Sequence, residues 1–329
     1  MSALLDVQDL SKFYPLPGGG QLRALDGVSL RLDEGEVLGI VGESGCGKST
    51  LGRVVLRLLE PSGGRVLFRG EDLLDLGRRA LKRRRREMQI VFQDPFGSLN
   101  PRHQVRAIVG EPLVVHRLGS RRERADRVRD LLGLVGLPGD AAGRYPHEFS
   151  GGQRQRIAIA RALALDPKLV VADEPVSALD VSIQSQIINL LADLRVRLKL
   201  SVLFISHDLS VIRHVSDRIA VMYLGRVVET GATEDIFVRA AHPYTQALLS
   251  AIPQPEAAGR RERIVLRGEM PDPAHAPSGC AFHTRCPRAF EPCARERPAL
   301  VSRTLDGAAG ASGAAGPKRE TACHLYETA

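Results

Sequence analysis

The stretch from Gly42 to Ser49 constrains the fold more than any other part of the chain. It fits the pattern G-x-x-x-x-G-K-[ST] and directly follows a predicted buried strand, Val37 to Val41. A helix is predicted after it from apolar residues at helical spacing, namely Leu51, Val54, Val55, Leu58 and Leu59. In this context the glycines let successive backbone N–H groups face phosphate oxygens. The sequence therefore predicts a phosphate-binding loop and, with it, nucleotide binding.

The polar residues of the loop have predicted roles. The Lys48 ammonium would lie at the terminal phosphates, and the Ser49 hydroxyl would bind the Mg²⁺ that bridges them. Cys46 is interpreted most simply as a small side chain that fills space. The predicted nucleotide-binding residues of the loop and the helix start are Gly42, Glu43, Ser44, Gly45, Cys46, Gly47, Lys48, Ser49 and Thr50.

The composition indicates neither a disordered nor a membrane-embedded chain. Hydrophobic residues make up 43% and charged residues 26% of the sequence, near the averages of globular proteins. No apolar run approaches the roughly 18–20 residues that span a bilayer, and Met1 to Leu10 lacks the pattern of a signal peptide. We therefore expect any membrane role to be peripheral and cytoplasmic.

The net charge of +8 is compatible with polyanionic partners but does not choose among them. Its most concentrated source is the run Lys82 to Arg86, with Arg78 and Arg79 nearby. A solvated helix face is the simplest interpretation, because charge runs usually are that. A nucleic-acid surface is the alternative.

Alternating strands and helices predict an α/β fold with a parallel sheet covered on both faces. Buried strands are predicted at Leu169 to Ala172 and at Val202 to Ser206. The helix between them is predicted to have one apolar face, formed by Ile183, Ile187, Leu190, Leu191, Leu194 and Leu198. Beyond about His242 prolines increase, and Gly307 to Gly316 has the composition of a flexible linker. The predicted regions are an ATP-binding core at 1–94 and 166–240, a helical subdomain at 95–165, and a C-terminal extension at 241–329.

Two carboxylates and a histidine follow the predicted strands. Asp173 and Glu174 come after Ala172, and His207 comes after Ser206. In a parallel sheet these strand ends share one edge, where phosphate-loop folds hold metal and water. We predict that Asp173 holds Mg²⁺, that Glu174 is the general base for the attacking water, and that His207 donates to the γ-phosphate.

Seven motifs, in order, resemble those of the ABC ATPases. The stretch Phe149-Ser150-Gly151-Gly152-Gln153 resembles the ABC signature sequence, with Phe where Leu is commonest. The other matches are Tyr14 at the adenine-stacking position, the phosphate loop, Gln93 as the Q-loop glutamine, Asp173-Glu174, Ser177 to Asp180 as the D-loop, and His207. The resemblance implies a P-loop NTPase of ABC type, with a mixed-sheet core, an inserted helical subdomain and a small cysteine-containing C-terminal extension.

The resemblance also implies roles for these residues. Ser150 and Gly151 would begin a helix whose N–H groups face the γ-phosphate of a second subunit, so that two chains enclose two ATP molecules. Gln93 would contact metal or water and report the nucleotide state to the helical subdomain. The catalytic residues would be Glu174, His207 and Gln93, and the Mg²⁺ ligands Ser49, Gln93 and Asp173. Further nucleotide-binding residues would be Tyr14, Gln93, Ser150, Gly151, Gly152, Gln153, Asp173 and Asp180.

Further stretches look like the dipeptide and oligopeptide importer ATPases, and this resemblance spans nearly the whole chain. They are Gln93 to Pro101, Pro146 to Phe149, His242 to Thr245 and Ala251 to Pro253. The chain is more similar to the second of the paired ATPase subunits than to the first, which implies a heterodimer, with a homodimer left open. The implied partners are two membrane permeases and an extracytoplasmic solute-binding protein, with no nucleic acid. The implied location is the cytoplasmic face of the membrane.

Four of the five cysteines lie in the C-terminal extension, at Cys280, Cys286, Cys293 and Cys323. Disulfides are not expected in a cytoplasmic protein, and four thiolates suit either Zn²⁺ or an iron–sulfur cluster. The resemblance to the peptide importer ATPases favours a [4Fe–4S] cluster. Zn²⁺ and plain reduced cysteines stay open, with His283, His324 and Cys46 as competing candidates.

The function implied by these resemblances is an ATPase that uses ATP and Mg²⁺ to energise the import of di- and oligopeptides. Import of nickel, glutathione or another small solute stays an alternative, because the permease and binding protein select the solute. A soluble ABC ATPase that acts on nucleic acid or ribosomes is supported only by the basic run. A binding-only subunit is disfavoured, because Lys48, Gln93, Glu174 and His207 are all present.

Overall fold

The computed structural model describes residues 3–252, 263–266, 268–303 and 319–326. These residues divide into two units, each built from separate stretches of the chain. The first unit contains 3–5, 32–37 and 68–206, and the second contains 6–31, 38–67 and the described residues from 207 onward. The predicted linker at Gly307 to Gly316 lies outside the described residues.

The bounds of the elements are as follows. The strands are β1 (Ala3–Pro15), β2 (Gln21–Asp33), β3 (Val37–Val41), β4 (Gly63–Phe68), β5 (Glu71–Asp72), β6 (Met88–Val91), β7 (Leu169–Asp173), β8 (Ser201–Ser206), β9 (Arg218–Tyr223), β10 (Arg226–Ala232), β11 (Val301–Arg303) and β12 (Arg319–Thr321). The helices are α1 (Lys48–Val55), α2 (Arg78–Arg84), α3 (Pro95–Ser98), α4 (Val105–Val115), α5 (Arg121–Leu134), α6 (Gly151–Ala162), α7 (Val181–Leu198), α8 (Leu209–Val215), α9 (Thr233–Val238), α10 (Pro243–Ser250) and α11 (Glu291–Arg295).

Parallel strands in the order β6-β7-β8 form the sheet of the first unit. Every residue of β7 and β8 is buried, as expected for parallel strands that are covered on both faces. Helix α7 joins these two strands and buries Ile187 and Leu194 from its predicted apolar face. The prediction of a strand, a helix and a strand in this part of the chain is confirmed.

Helices α3 to α6 lie between residues 95 and 162 of the first unit. Helix α5 begins with a capping box, in which the Glu123 N–H donates to Ser120 Oγ and the Ser120 N–H donates to the Glu123 carboxylate. The buried side chains Val109, Leu131 and Ile157 come from α4, α5 and α6, which pack together. Within the described stretches of the chain, no helix is long and apolar enough to cross a membrane.

The second unit contains a mixed sheet in the order β11-β12-β10-β9-β3. Strands β3 and β9 run parallel, with Ile40 opposite Ala220, whereas β9 with β10, β10 with β12 and β12 with β11 run antiparallel. A separate sheet places β1 between β2 and β4. The mixed sheet that the sequence resemblance implied is thus confirmed.

Helix α1 is shorter than the sequence pattern predicts. The pattern continues to Leu59, but the helix ends at Val55 and Leu58 is 45% exposed. Arg57 has φ +50°, a left-handed conformation that stops the helix, and its N–H donates to the carbonyl of Val54 in a turn. The extension of this helix to Leu59 was therefore wrong, because backbone geometry after Val55 overrides the apolar spacing.

Two residues of the basic run at Lys82 to Arg86 have partners within the first unit. Arg84 pairs with Glu71 at 2.5 Å and with Glu87 at 3.0 Å. The Lys82 ammonium donates to the carbonyl oxygen of Val115 at 2.9 Å. These contacts support the interpretation of the run as part of a helix surface rather than as a nucleic-acid surface.

A buried ion pair joins two distant parts of the second unit. Glu229 on β10 is fully buried, and its carboxylate accepts from Arg319 on β12, with Nε at 3.0 Å. The same carboxylate accepts the N–H groups of Ala241 and His242 at 2.8 and 3.0 Å. His242 in turn caps α10, because its Nδ1 accepts the Tyr244 N–H at 3.1 Å. Glu229 therefore holds both the start of α10 and strand β12.

Acidification is expected to destabilise the second unit through His242. Burial lowers the pKa of its imidazole from 6.5 to about 3. Between these values the unfolded chain binds one more proton than the folded chain, so stability falls as the pH decreases below 6.5. At pH 5 the expected loss relative to pH 7.5 is about 2 kcal/mol. Melting temperatures of wild type and His242→Asn, measured across this pH range, test the prediction. The variant should show a flatter profile, and identical slopes would contradict it.

Candidate nucleotide site

The predicted phosphate-binding loop joins β3 to α1 in the second unit. Gly47 has φ +103°, and a Cβ there would lie 2.2 Å from the carbonyl oxygen of Ala24. A Cβ at Gly42 would lie 2.2 Å from the carbonyl oxygen of Met222. Neighbouring backbone thus leaves no room for a side chain at either position, which is why the loop needs glycine there. A loop whose backbone is this closely approached is the arrangement expected of a phosphate-binding loop.

Lys48 and Cys46 are both buried in this loop. The Lys48 ammonium donates to the carbonyl oxygens of Gly42 at 2.8 Å and Glu43 at 3.0 Å, which holds it inside the turn. Burial raises the pKa of the Cys46 thiol, although the nearby Lys48 opposes this effect. A buried, protonated thiol agrees with the interpretation of Cys46 as a residue that fills space.

Tyr14 lies on β1, also in the second unit, and is half-buried. The Lys12 ammonium lies 5.0 Å from the centroid of its ring. This cation–π contact steadies a half-buried aromatic side chain.

Glu43 has two contacts that sequence reasoning missed. Its N–H donates to the Tyr244 hydroxyl at 2.9 Å, and both of its carboxylate oxygens accept from Arg285 at 3.1 and 3.0 Å. These partners lie 201 and 242 positions further along the chain. No local pattern predicts pairs at such separations, and the phosphate-loop motif leaves the residue type at position 43 open.

The predicted catalytic carboxylate lies in the first unit. Asp173 is the buried last residue of β7, and Glu174 follows it with φ +46°. The Glu174 N–H donates to the carbonyl oxygen of Ile205, which fixes this left-handed turn beside β8. Gln93 Nε2 donates to Glu174 Oε2 at 3.0 Å. The sequence predicted both side chains as site residues but not the hydrogen bond that orients the carboxylate.

The signature stretch begins α6 as the sequence predicts. Ser150 is the N-cap, its Oγ accepts the Gln153 N–H at 3.4 Å, and Gln153 Oε1 accepts the Ser150 N–H at 3.0 Å. This capping box satisfies two N–H groups at the start of the helix. The side chains of Ser150 and Gln153 are exposed, so the helix start is accessible within this unit.

The signature helix packs against the D-loop in the first unit. A Cβ at Gly151 would lie 3.2 Å from Leu179, and one at Gly152 would lie 2.5 Å from Ile183. Asp180 is the exposed N-cap of α7. Ser177 Oγ donates to the carbonyl oxygen of Glu174 at 3.1 Å. The signature, the D-loop and the candidate base therefore form one connected arrangement.

His207 is exposed and directly follows β8. It belongs to the second unit, with the phosphate loop and Tyr14. The next residue, Asp208, caps α8 by accepting the N–H of Ser210 at 2.7 Å. The backbone on the C-terminal side of His207 is thus ordered by a helix cap.

Three of the C-terminal cysteines lie near the thiol of Cys323. The pKa of Cys323 is raised to about 11, chiefly by burial, and Cys280, Cys286 and Cys293 act in the same direction. Cys280 and Cys293 also share a backbone hydrogen bond of 2.8 Å. Across the residues that the structure describes, however, no three His, Cys, Asp or Glu side chains are grouped so that they hold a metal ion.

Comparisons with known protein families match two parts of the chain. Residues 25–177 match the ABC transporter family, and residues 228–293 match the C-terminal region of oligopeptide and dipeptide transporters. The first match contains the phosphate loop, Gln93, the signature and Glu174. The second contains Tyr244, Arg285 and three of the four C-terminal cysteines.

Known relatives extend the similarity over nearly the whole chain. The oligopeptide transport ATP-binding protein AppF of Bacillus subtilis is 51% identical, covering 98% of this chain and 97% of the relative. The dipeptide transport ATP-binding protein DppF of Escherichia coli is 53% identical, with 90% of each covered. A dimeric structure of the cassette MJ0796 with bound ADP and Pi has a TM-score of 0.64 and 33% identity, covering 70% of this chain and 98% of that one. These similarities confirm the predicted family and fold class, and the chain belongs to the ATP-binding proteins of ABC transporters, in the group with an oligopeptide/dipeptide transporter C-terminal region.

Proposed function

We propose that this chain hydrolyses ATP to drive the import of di- or oligopeptides across a membrane. The observation that carries the ATPase assignment is the hydrogen bond from Gln93 to Glu174, which holds a carboxylate beside the end of β7. The peptide assignment is supported by the oligopeptide and dipeptide transport relatives, whose similarity extends through the C-terminal region.

In this proposal Glu174 is the general base that polarises the attacking water. Lys48 neutralises charge on the terminal phosphates, Tyr14 stacks on adenine, and His207 donates to the γ-phosphate. Ser49, Gln93 and Asp173 would hold Mg²⁺, with Asp173 acting through the water shell of the ion, and the bound ion would supply charge neutralisation at the phosphates. A hydroxyl, a carboxylate and an amide are oxygen donors of the kind that Mg²⁺ prefers.

We also propose that two ATPase subunits act together. The exposed, capped start of α6 supports this, because an N-terminus with N–H donors suits a γ-phosphate bound by a facing subunit. Ser150, Gly151, Gly152 and Gln153 would supply these contacts, and Asp180 would lie at the subunit boundary. The second subunit is proposed to be a related ATPase, in a heterodimer.

The proposed membrane partners are two permease subunits, and an extracytoplasmic binding protein would deliver the solute. The chain would work at the cytoplasmic face, with 95–165 as the subdomain that contacts the permeases. The proposed boundaries of the other regions are 1–94 and 166–240 for the core and 241–329 for the C-terminal extension. The ion pairs of Arg84 weaken the nucleic-acid alternative.

We further propose a metal site formed by Cys280, Cys286, Cys293 and Cys323, holding a [4Fe–4S] cluster or, alternatively, Zn²⁺. The donor chemistry of four thiols supports it, although the described side chains do not form a ligand group. Iron, sulfide and zinc analysis of anaerobically purified protein tests the proposal, with a Cys286→Ser variant as comparison. Metal-free wild type under these conditions would exclude it.

Identification of the bound partners tests the transport proposal. The tagged chain is purified from gently solubilised membranes and from the soluble fraction of its own cell, and copurifying proteins are identified by mass spectrometry. Recovery of two multi-span permeases and a related ATPase is the expected result. Recovery only from the soluble fraction, with ribosomal proteins or nucleic acid, would contradict it.

A further inference from the structure

The C-terminal region of the second unit reaches the phosphate loop through Arg285. Its Nη1 donates to both carboxylate oxygens of Glu43, at 3.1 and 3.0 Å. The Arg285 side chain is only 9% exposed, and that of Glu43 is 28% exposed. A charge pair with this little solvent contact is stronger than the average surface pair.

Tyr244 holds the same loop residue by its backbone. The Glu43 N–H donates to the Tyr244 hydroxyl at 2.9 Å. Tyr244 is fully buried and packs against the rings of Tyr223 and Phe282, with centroid distances of 4.7 and 5.4 Å. Phe282 lies three residues before Arg285, so one packed cluster fixes both partners of Glu43.

The position of Glu43 makes its charge important for nucleotide binding. It follows Gly42 in the loop, and its own carbonyl oxygen accepts from Lys48 at 3.0 Å. A carboxylate in a phosphate-binding loop repels a triphosphate and competes for the lysine unless a cation neutralises it. Arg285 supplies that cation from outside the loop.

We propose that Arg285 is a positioning residue for the phosphate loop. Its guanidinium neutralises the Glu43 carboxylate and orients that side chain away from the bound triphosphate. The inference rests on the proposed ATPase function. Arg285 acts through Glu43, whose carboxylate it binds. The C-terminal region thereby contributes directly to ATP affinity in addition to any role of its cysteines.

The test compares Arg285→Met and Arg285→Lys in the full-length chain. Equilibrium binding of a fluorescent ATP analogue and steady-state ATPase kinetics are measured for each. Loss of a charge-assisted contact predicts a Kd and KM about 10- to 100-fold higher for Arg285→Met, with kcat at saturating ATP nearly unchanged. Arg285→Lys should retain part of the affinity. Arg295→Met, which removes an equally charged but exposed side chain from α11, is the matched control and should bind as wild type.

A double variant separates this role from general damage to the fold. Adding Glu43→Gln to Arg285→Met removes the stranded carboxylate, and the Kd should fall at least about threefold relative to Arg285→Met, a difference of roughly 0.7 kcal/mol. Unchanged affinity in Arg285→Met, or no recovery in the double variant, would overturn the inference while leaving the ATPase proposal intact. Failure of the wild-type chain itself to bind ATP would overturn both.

Discussion

Replacing Glu174 by Gln is expected to reduce ATP turnover by at least about 100-fold, because a general base in the transition state commonly contributes that much. Nucleotide binding should persist, since the amide retains the shape of the side chain. Its carbonyl oxygen can still accept from Gln93, whose Nε2 lies 3.0 Å from the wild-type carboxylate. The measurements are kcat from phosphate release and Kd from equilibrium nucleotide binding.

A matched control is Glu234→Gln, which alters a 67% exposed carboxylate paired with Arg213 at the surface. It should leave kcat and Kd unchanged. If Glu174→Gln hydrolysed ATP nearly as fast as wild type, the assignment of Glu174 as the general base would be wrong. Loss of binding together with turnover would instead indicate that Glu174 has a structural role in the first unit.

The second large effect, a loss of stability of the second unit, is expected from Arg319→Met. Glu229 would remain fully buried, and among the described residues it would keep the N–H groups of Ala241 and His242 as partners. Removing one member of a buried pair typically costs about 3–5 kcal/mol, because the other charge is left without compensation. Urea unfolding followed by a probe in the second unit should show a free energy of unfolding that is lower by this amount, with a correspondingly lower midpoint.

Arg295→Met serves again as the control, because its pair with Glu291 is 75% and 76% exposed and such pairs contribute little. Adding Glu229→Gln to Arg319→Met should recover part of the lost stability, since an uncharged amide is less costly to bury. Equal midpoints for Arg319→Met and the control would contradict the importance of this pair.

The sequence predicts well those features that depend on short-range patterns. The order of strand, loop and helix around Gly47, the buried strands that end at Asp173 and Ser206, and the helix start at Ser150 follow from apolar spacing and capping residues. Each of these is decided by neighbours within a few positions. The helix end at Val55 was missed because it depends on the left-handed conformation of Arg57, which no apolar pattern reports.

Contacts across the chain could not be predicted in the same way. The hydrogen bond between Gln93 and Glu174 joins residues 81 positions apart, and the pair of Glu43 with Arg285 joins residues 242 positions apart. Motif spacing places such residues in a common site but does not say which atoms meet. Only the packed arrangement of strands and rings around them determines the partners.

The position of β12 has a consequence for how the chain matures during synthesis. This strand lies between β10 and β11, although it is made after both. Arg319 follows its partner Glu229 by 90 residues, which takes a ribosome roughly 5–20 s to add. Over that interval the edge of β10 has no β12 to pair with and the Glu229 carboxylate has no guanidinium. The nascent second unit therefore lacks both this strand and this ion pair until β12 has been synthesised, and during that interval the edge of β10 is open to pairing with other chains.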